Sequence, residues 1–486
     1  MNMFMCTCAC VAHRAQVKYG AKFTSPARKH TAVITSPRGL CKHRNSSCPM
    51  SSTNPVRDVR FPTSLEQHGS DAMHTDPDYS VAYVVIETTN AELKGYGLTF
   101  TVGKGTEIVV CAVKALSSLV VGRTLEEIVS NFRGFYRLLS SDGQMRWIGP
   151  EKGVIQLATA AILNAVWDLW ARAEGKPLWK LLVDMDPAQL IRCIDFRYIT
   201  DALTEQEALD ILIKAREGKQ TREKQMLREG YPAYTTSCAW LGYTDQQLTK
   251  LCSDALAQGW TKFKVKVGAD IEDDIRRCGL IRKMIGPNNI LMVDANQRWD
   301  VAEAVSWVTR LAEFRPLWIE EPTCPDDILG HAFISKALAP IGIGVATGEQ
   351  CHNRVMFKQF LQASALQFVQ IDSCRVGSVN ENLAIILMAA KFNVPVCPHA
   401  GGVGLCELVQ HLILFDYIAV SASLHNRMCE YVDHLHEHFR SPTNIRNACY
   451  MPPTDPGFSC EMLEESVQKH QFPDGEVWTN ILKHDK

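Results

Sequence analysis

The spacing of apolar and polar residues changes character twice along this chain. Ala82–Thr89 and Leu93–Thr101 are rich in β-branched and aromatic residues and flank Asn90-Ala91-Glu92, which predicts an antiparallel hairpin. Helical periodicity follows in Thr106–Leu119, Thr124–Leu139 and Glu151–Glu174, and Gly175-Lys176-Pro177 supplies the stop for the last. This is a small α+β unit. Thr204–Arg228 is strongly charged and reads as a solvated helix or an excursion. From Ala233 onward, short β-branched runs alternate with helical stretches: Ala233–Ala239, Thr261–Val267, Ile290–Ala295, Leu317–Ile319, Gly342–Ala346, Leu366–Ile371, Val394–Cys397 and Arg427–Cys429. Strand–helix alternation implies a parallel α/β sheet, and eight strands at this interval favour a closed barrel. The Pro-rich tail from Tyr431 is expected to pack back on the first unit. The expected organisation is a leader over 1–54, the α+β unit over 55–190, the barrel over 191–430 and the closing tail over 431–486.

Charge sets the leader apart. Residues 1–54 contain no Asp or Glu but eight Lys or Arg, leaving 43 basic against 53 acidic residues in the body. A basic, Ser-containing, acid-free leader has the composition of a transit peptide, so a mitochondrial location is expected, with the cytoplasm as the alternative. Cys6-Thr7-Cys8-Ala9-Cys10 has no His at finger spacing and reads as incidental. With 51 Lys+Arg against 53 Asp+Glu, nothing marks a nucleic-acid binder. No uninterrupted apolar run reaches the ~18 residues of a membrane span, so no membrane partner is expected. The 18 Cys are scattered through apolar segments, as thiols are in a reducing compartment.

The candidate chemistry lies at the strand ends. Lys266 closes one run, and Asp294, Glu320, Glu349, Asp372, His399 and Glu430 follow at steps of 28, 26, 29, 23, 27 and 31 residues. Each step is about one strand plus one helix, so all seven point into the C-terminal mouth where barrel active sites lie. Asp294, Glu320 and Glu349 are hard oxygen donors without Cys or His, a set suited to Mg²⁺. In Glu320-Glu321-Pro322 alternation lets one acid face inward; Glu320 is assigned to the mouth and Glu321 to the surrounding helices. Lys264 and Lys266 share a face, and their repulsion, together with the nearby Mg²⁺, is expected to lower a lysine pKa and free an amine to act as base. Asp372 and His399 lie on consecutive strands, where the acid would orient the imidazole and raise its pKa. A base and an acid on opposite walls above Mg²⁺ suit removal of a proton beside a carboxylate and loss of a hydroxyl. Asp433-His434-Leu435-His436-Glu437-His438 is read as a solvated or packing stretch rather than a metal cluster.

The motifs Lys264-Val265-Lys266, Asp294-Ala295-Asn296, Glu320-Glu321-Pro322, Gly348-Glu349, Asp372 and His399 resemble the enolase superfamily in its mandelate racemase-like branch. The likeness runs from about Val56 to the C-terminus, and is closer still to the L-fuconate dehydratases. It implies a (β/α)7β TIM-like barrel with an α+β capping domain formed by the N-terminal region and the C-terminal tail. It also implies that Lys266 is the base, that His399, oriented by Asp372, is the acid, and that Asp294, Glu320 and Glu349 hold Mg²⁺. Gly69, Ser70, Asp71, Tyr79, Lys264, Asn296, His399, Ala400, Gly401 and Glu430 would contact the substrate. The implied reaction converts L-fuconate to 2-dehydro-3-deoxy-L-fuconate. The implied partner is a small-molecule acid sugar, with a homo-oligomer left open. The alternatives are epimerisation or dehydration of another sugar acid at the same site, or a non-catalytic regulatory protein with an altered N-terminus. The residues before Val56 lack the pattern of the family's first capping strand, so an incomplete capping sheet is expected.

Overall fold

The computed structural model describes residues 50–51, 56–149 and 151–484. The transit-peptide reading and the Cys6–Cys10 cluster fall on residues outside these. The first sheet is centred on β3 (Ser80–Thr88). One edge of β3 pairs along its length with β4 (Lys94–Thr101), the expected hairpin. The other edge is shared by β1 (Met50–Ser51), paired at Thr88 and Glu87, and β2 (Arg57–Arg60), paired from Tyr83 to Ser80. The expected gap in the capping sheet is therefore filled from the leader itself. Strand pairing uses backbone groups, so two residues suffice and leave no periodic signal in the sequence. The Met50 side chain is buried, and its backbone is tied to Gly122 and Arg123.

Helices α1 (Thr106–Leu116), α2 (Leu125–Ser130), α3 (Phe132–Ser140) and α4 (Gly153–Ala173) cover this sheet. The single helix expected over Thr124–Leu139 breaks at Asn131, whose side chain accepts the Gly134 N–H and starts a new helix. Among the described helices α4 has the length and apolar composition of a membrane span, but it is buried inside the fold as a core helix. It lies directly on β4 because Gly95 and Gly97 lack side chains. A Cβ at Gly97 would stand 2.3 Å from the Ala161 carbonyl oxygen. Short helices α5 (Leu178–Asp184) and α6 (Pro187–Cys193) lead out of the unit. The charged segment is two helices, α7 (Glu205–Lys214) and α8 (Lys219–Glu229), parted at Gly218. It is not simply solvated: Ala208, Leu212 and Met226 are buried, and Arg222 donates to the Ile418 carbonyl.

The barrel strands are β5 (Tyr231–Thr235), β6 (Lys262–Lys266), β7 (Ile290–Asp294), β8 (Trp318–Glu320), β9 (Gly344–Thr347) and β10 (Phe368–Val369). A single bridge, Val369–Val396, takes the seventh place, and β11 (Cys429–Tyr431) closes the barrel by pairing with β5. Pro395 and Pro398 have no N–H to donate, which reduces the strand expected at Val394–Cys397 to that bridge. Between strand positions lie α9 (Asp245–Ala257), α10 (Ile271–Ile285), α11 (Val301–Leu311), α12 (Ile328–Leu338), α13 (Arg354–Gln362), α14 (Ser378–Lys391) and α15 (Leu405–Asp416). Seven strand–helix units and a final strand make the expected (β/α)7β barrel. The register aligns Lys266 with Asp294, and Asp294 with Glu320. Two residues lower, Tyr234, Met292, Trp318, Ala346 and Phe368 pack as an apolar layer. The tail returns to the first unit as expected. Phe458 N–H donates to Asp168, Met462 N–H to the Tyr83 hydroxyl, and Trp478 Nε1 to the Arg60 carbonyl.

The Gly97 contact generates a stability test. Gly97→Ala forces β4 off α4 and should cost about 1–3 kcal/mol, as overpacking of a core does. A lowered thermal midpoint by circular dichroism is expected; an unchanged midpoint would show that the sheet and helix are not in the contact described.

Candidate active site

Beneath the open space of the barrel mouth lies a layer of buried charge. Lys264 Nζ stands 2.7 Å from Glu320, 2.7 Å from Glu430 and 3.2 Å from Asp294. Lys266 Nζ donates to Asp294 at 2.6 Å and to the Asn296 side-chain oxygen at 2.9 Å. Trp318, in the apolar layer below, donates its Nε1–H to Glu320 at 3.2 Å. Burial works against the Asp294 carboxylate, but Lys266 and Lys264 outweigh it and hold its pKa down. Burial and the neighbouring Asp294 push Glu320 up to about 8. The drop in lysine pKa is expected with Mg²⁺ nearby, and the protein groups alone do not produce it. Burial and Lys264 disfavour the Lys266 ammonium, yet the surrounding carboxylates, Asp294 foremost with Asp71 and Glu349, together outweigh them, so its pKa stands above the usual lysine value.

On the opposite wall, His399 Nδ1 lies 2.7 Å from Asp372 Oδ2. Asp372 Oδ1 accepts the N–H groups of Cys374 and Arg375, which fixes the carboxylate that orients the ring. The free His399 Nε2 stands 3.4 Å from Glu349 and 3.9 Å from Glu430. Burial alone would lower the imidazole pKa, but Glu349 and Asp372 raise it to about 9, as the sequence led one to expect. This histidine carries two protons at neutral pH and is an acid in waiting.

A cavity of 360 Å³ lies between the two walls. Lys266, Asn296, Glu349, Asp372, His399, Gly401 and Glu430 line it from the barrel, and Gly69, Asp71 and Tyr79 from the cap. Gly69 has φ +78°, and a Cβ there would lie 2.2 Å from the Tyr79 hydroxyl, so glycine is required for this approach. Asp71 is fixed by the N–H groups of Met73 and His74 and by the His74 ring. Ser70 is buried and does not reach the cavity; its carbonyl accepts the Leu241 N–H and ties the cap loop to the barrel. Asp294, Glu320 and Lys264 lie below the cavity lining, so Lys264 is a partner of carboxylates here rather than a wall residue. Ala400 is also set back, its N–H spent on Glu430 at 2.9 Å.

Glu321 corrects the sequence reading. It does not face the surrounding helices: a φ of +42° breaks the alternation and buries it where Glu349 and Asp294 act on its charge. Gln297 donates to one of its oxygens at 2.5 Å, and burial followed by the Glu349 charge drives its pKa far up. The histidine run disperses, as expected. His436 pairs with Glu407, His438 with Ser466, and His434 packs against Tyr79 and Trp240. Trp240, Phe100, Thr236, His74 and Arg375 also line the cavity and were not singled out from the sequence. They sit on loops and on the cap, outside the once-per-strand interval that marks the others.

The donor set can be tested for a cation from its own charge balance. Asp294, Glu320, Glu321, Glu349 and Glu430 are five carboxylates served by two ammonium groups. The ammonium groups stand among them, and among the described residues no three His, Cys, Asp or Glu side chains form a ready cation cluster. The surplus negative charge, visible in the raised pKa of Glu320, and the all-oxygen donors fit a hard divalent cation.

A barrel of seven strand–helix units closed by an eighth strand, capped by both ends of the chain over a ring of acids, defines the two-domain architecture of enolase-type barrels. The chain belongs to the enolase superfamily, as its motifs indicated. Residues 61–183 match the mandelate racemase / muconate lactonizing enzyme N-terminal domain, and residues 247–466 match the enolase C-terminal domain-like model. The crystal structure of human mitochondrial enolase superfamily member 1 is 72% identical with a TM-score of 0.89, covering 90% of this chain and 99% of that one. The L-galactonate dehydratase of Hypocrea jecorina is 51% identical over 420 residues, 86% of this chain and 93% of the relative. The L-talarate/galactarate dehydratase of Salmonella typhimurium, solved with Mg and L-lyxarohydroxamate, shares the fold at 22% identity and a TM-score of 0.68, covering 91% of this chain and 97% of that one.

The dyad makes a measurable prediction. In metal-free protein, the His399 imidazole should titrate near 9 by NMR, and Asp372→Asn should bring it toward the ordinary value of about 6.5. Because the folded pKa is raised, the stability this proton contributes is fully present below about pH 6.5 and is lost as pH rises through about 9. A His399 resonance that titrates below 6.5 in the parent protein would contradict the geometry.

Proposed function

We propose that this chain is a Mg²⁺-dependent acid-sugar dehydratase that converts L-fuconate to 2-dehydro-3-deoxy-L-fuconate. The observation that carries the reading is the placement of Lys266 and the His399–Asp372 dyad on opposite walls of one cavity, above a layer of carboxylates. The likeness to an L-galactonate dehydratase supports the substrate, because L-fuconate is L-galactonate without the hydroxyl at C6. Asp294, Glu320 and Glu349 would hold Mg²⁺, which when bound neutralises the charge that develops on the substrate carboxylate.

A cation on Asp294 would offset the charge that otherwise favours the Lys266 ammonium, and Lys266, as the neutral amine, takes the proton from C2. Its base strength is set by Asp294, its nearest partner at 2.6 Å. His399 gives its Nε2 proton to the hydroxyl at C3, which departs as water; Asp372 holds the ring in place and stabilises its charged form before transfer. The resulting enol takes a proton at C3 and becomes the 2-keto acid. Asn296 orients the Lys266 amine through its side-chain oxygen. Tyr79, Gly69 and Asp71 close the cavity from the cap and exclude water. The acid-free leader and the name of the human relative support a mitochondrial location for this reaction.

Turnover of a panel of acid sugars with and without Mg²⁺ tests the function. L-fuconate and L-galactonate are expected to be dehydrated only with the metal, and Glu320→Gln to abolish turnover while circular dichroism stays native. Dehydration that persists in Glu320→Gln would remove the ligand assignment. In deuterium oxide, Lys266→Ala should stop solvent exchange at C2. His399→Asn should slow water loss by ~10²–10⁴-fold yet leave C2 exchange measurable by NMR. Exchange that survives the lysine change and vanishes with the histidine change would reverse the two roles.

A further inference from the structure

We propose that Arg375 reads the hydroxyl groups of the sugar acid beyond C3, and so sets the length of substrate the enzyme prefers. The proposal deepens the dehydratase reading and rests on it. Arg375 lines the cavity three residues after Asp372. Its position is fixed at two points: its backbone N–H donates to Asp372 Oδ1 at 2.7 Å, and its Nε–H donates to the Glu349 carbonyl at 3.0 Å. Those bonds hold the guanidinium plane between the oriented dyad and the strand end that bears Glu349.

Its two terminal amino groups are uncommitted. Among the described residues, no carboxylate or carbonyl accepts from them. The nearest acids are already engaged, Asp372 by His399 and by two backbone N–H groups, and Glu349 beside His399 Nε2. A half-buried guanidinium normally finds an acceptor, because five N–H donors in a fixed fork lose water on burial. Among the described residues none takes these donors, so a molecule in the cavity can.

The chemistry of the site says which acceptors these are. The substrate carboxylate belongs beside Lys266 and Asn296, and the reacting C2 and C3 between Lys266 and His399. Arg375 stands on the wall of the dyad and next to the cap, because the preceding Cys374 accepts from Thr99 of β4 through its carbonyl while Arg375 itself is tied to Asp372 and Glu349. A donor-only group there matches hydroxyl oxygens on C4 and C5. Trp240 and Phe100 supply apolar surface to the same cavity, and Arg375 adds a charged polar contact to it.

The test crosses a substrate truncation with a side-chain truncation. The values of kcat/KM are measured for parent enzyme, Arg375→Met and Arg375→Lys, each loaded with Mg²⁺. The substrates are L-fuconate and the four-carbon aldonate of the same configuration at C2 and C3. Arg375→Met is expected to lose ~10–100-fold on L-fuconate, mostly in KM, and at most about threefold on the four-carbon acid, with Arg375→Lys restoring part of the loss. Equal losses on both acids would show that Arg375 acts only as a brace on Glu349, and no loss on either would show that it touches nothing; both outcomes overturn the proposal. If Arg375→Met does not fold by circular dichroism, Arg375→Gln and Arg375→Lys carry the same comparison. A parent enzyme that turns over neither acid removes the dehydratase reading itself, whereas parent turnover with an unselective variant removes this proposal alone.

Discussion

Buried charge at the barrel mouth sets the terms for the rest of the molecule. Lys264, Asp294, Glu320 and Glu430 are almost wholly out of water. Each such group costs several kcal/mol to desolvate, and the cost is met only when its partners are held at close range. The parallel register does this by placing Lys266, Asp294 and Glu320 side by side on consecutive strands. The apolar layer beneath keeps water from entering from the barrel interior, and Trp318 supplies one further donor to Glu320. A surplus of carboxylate remains, and that surplus is what makes the site receptive to a hard cation.

The surrounding structure holds this layer in place from behind. Arg277, on α10, donates to the carbonyls of Lys266, Ala239 and Trp240, joining the base strand to the loop that carries the Trp240 wall. Asp274 on the same helix accepts the Gly268 N–H just beyond Lys266. The cap is locked in a similar way. Asp168 of α4 accepts N–H groups from Tyr96 in the sheet and Phe458 in the tail, and pairs with Arg172. The tail is thus a structural part of the cap, and the loop that carries Gly69 and Asp71 is presented to the mouth by a unit with little freedom of its own.

In the proposed reaction, cap and barrel meet where specificity is decided, and the acid–base groups come from the strand ends. The residues that would touch the remainder of a substrate, among them Tyr79, Trp240 and Arg375, line the cavity from loops and from the cap. Relatives with this fold carry names for different acid sugars, which is consistent with chemistry fixed by the barrel and selection assigned to the loops.

The sequence by itself determined the architecture and the seven polar strand ends. Those features repeat: one apolar run and one polar residue per strand–helix unit, so the interval alone places Lys266, Asp294, Glu320, Glu349, Asp372, His399 and Glu430 in one mouth. The tertiary structure decided whatever does not repeat. Met50–Ser51 completes the capping sheet by backbone pairing, which has no side-chain signature. Glu321 turns toward the acids because its φ is positive, a departure that strand alternation does not contain. Ser70, Lys264 and Ala400 were placed against the substrate by motif, but their depth below the cavity depends on how cap and barrel close. The protein's own effect on Lys266 depends on packing for the same reason: the adjacent Lys264 is visible in the sequence, while the Asp294 that outweighs it arrives from the next strand. Periodicity records which way a side chain points within its own element, and only the packed fold fixes which charges it meets.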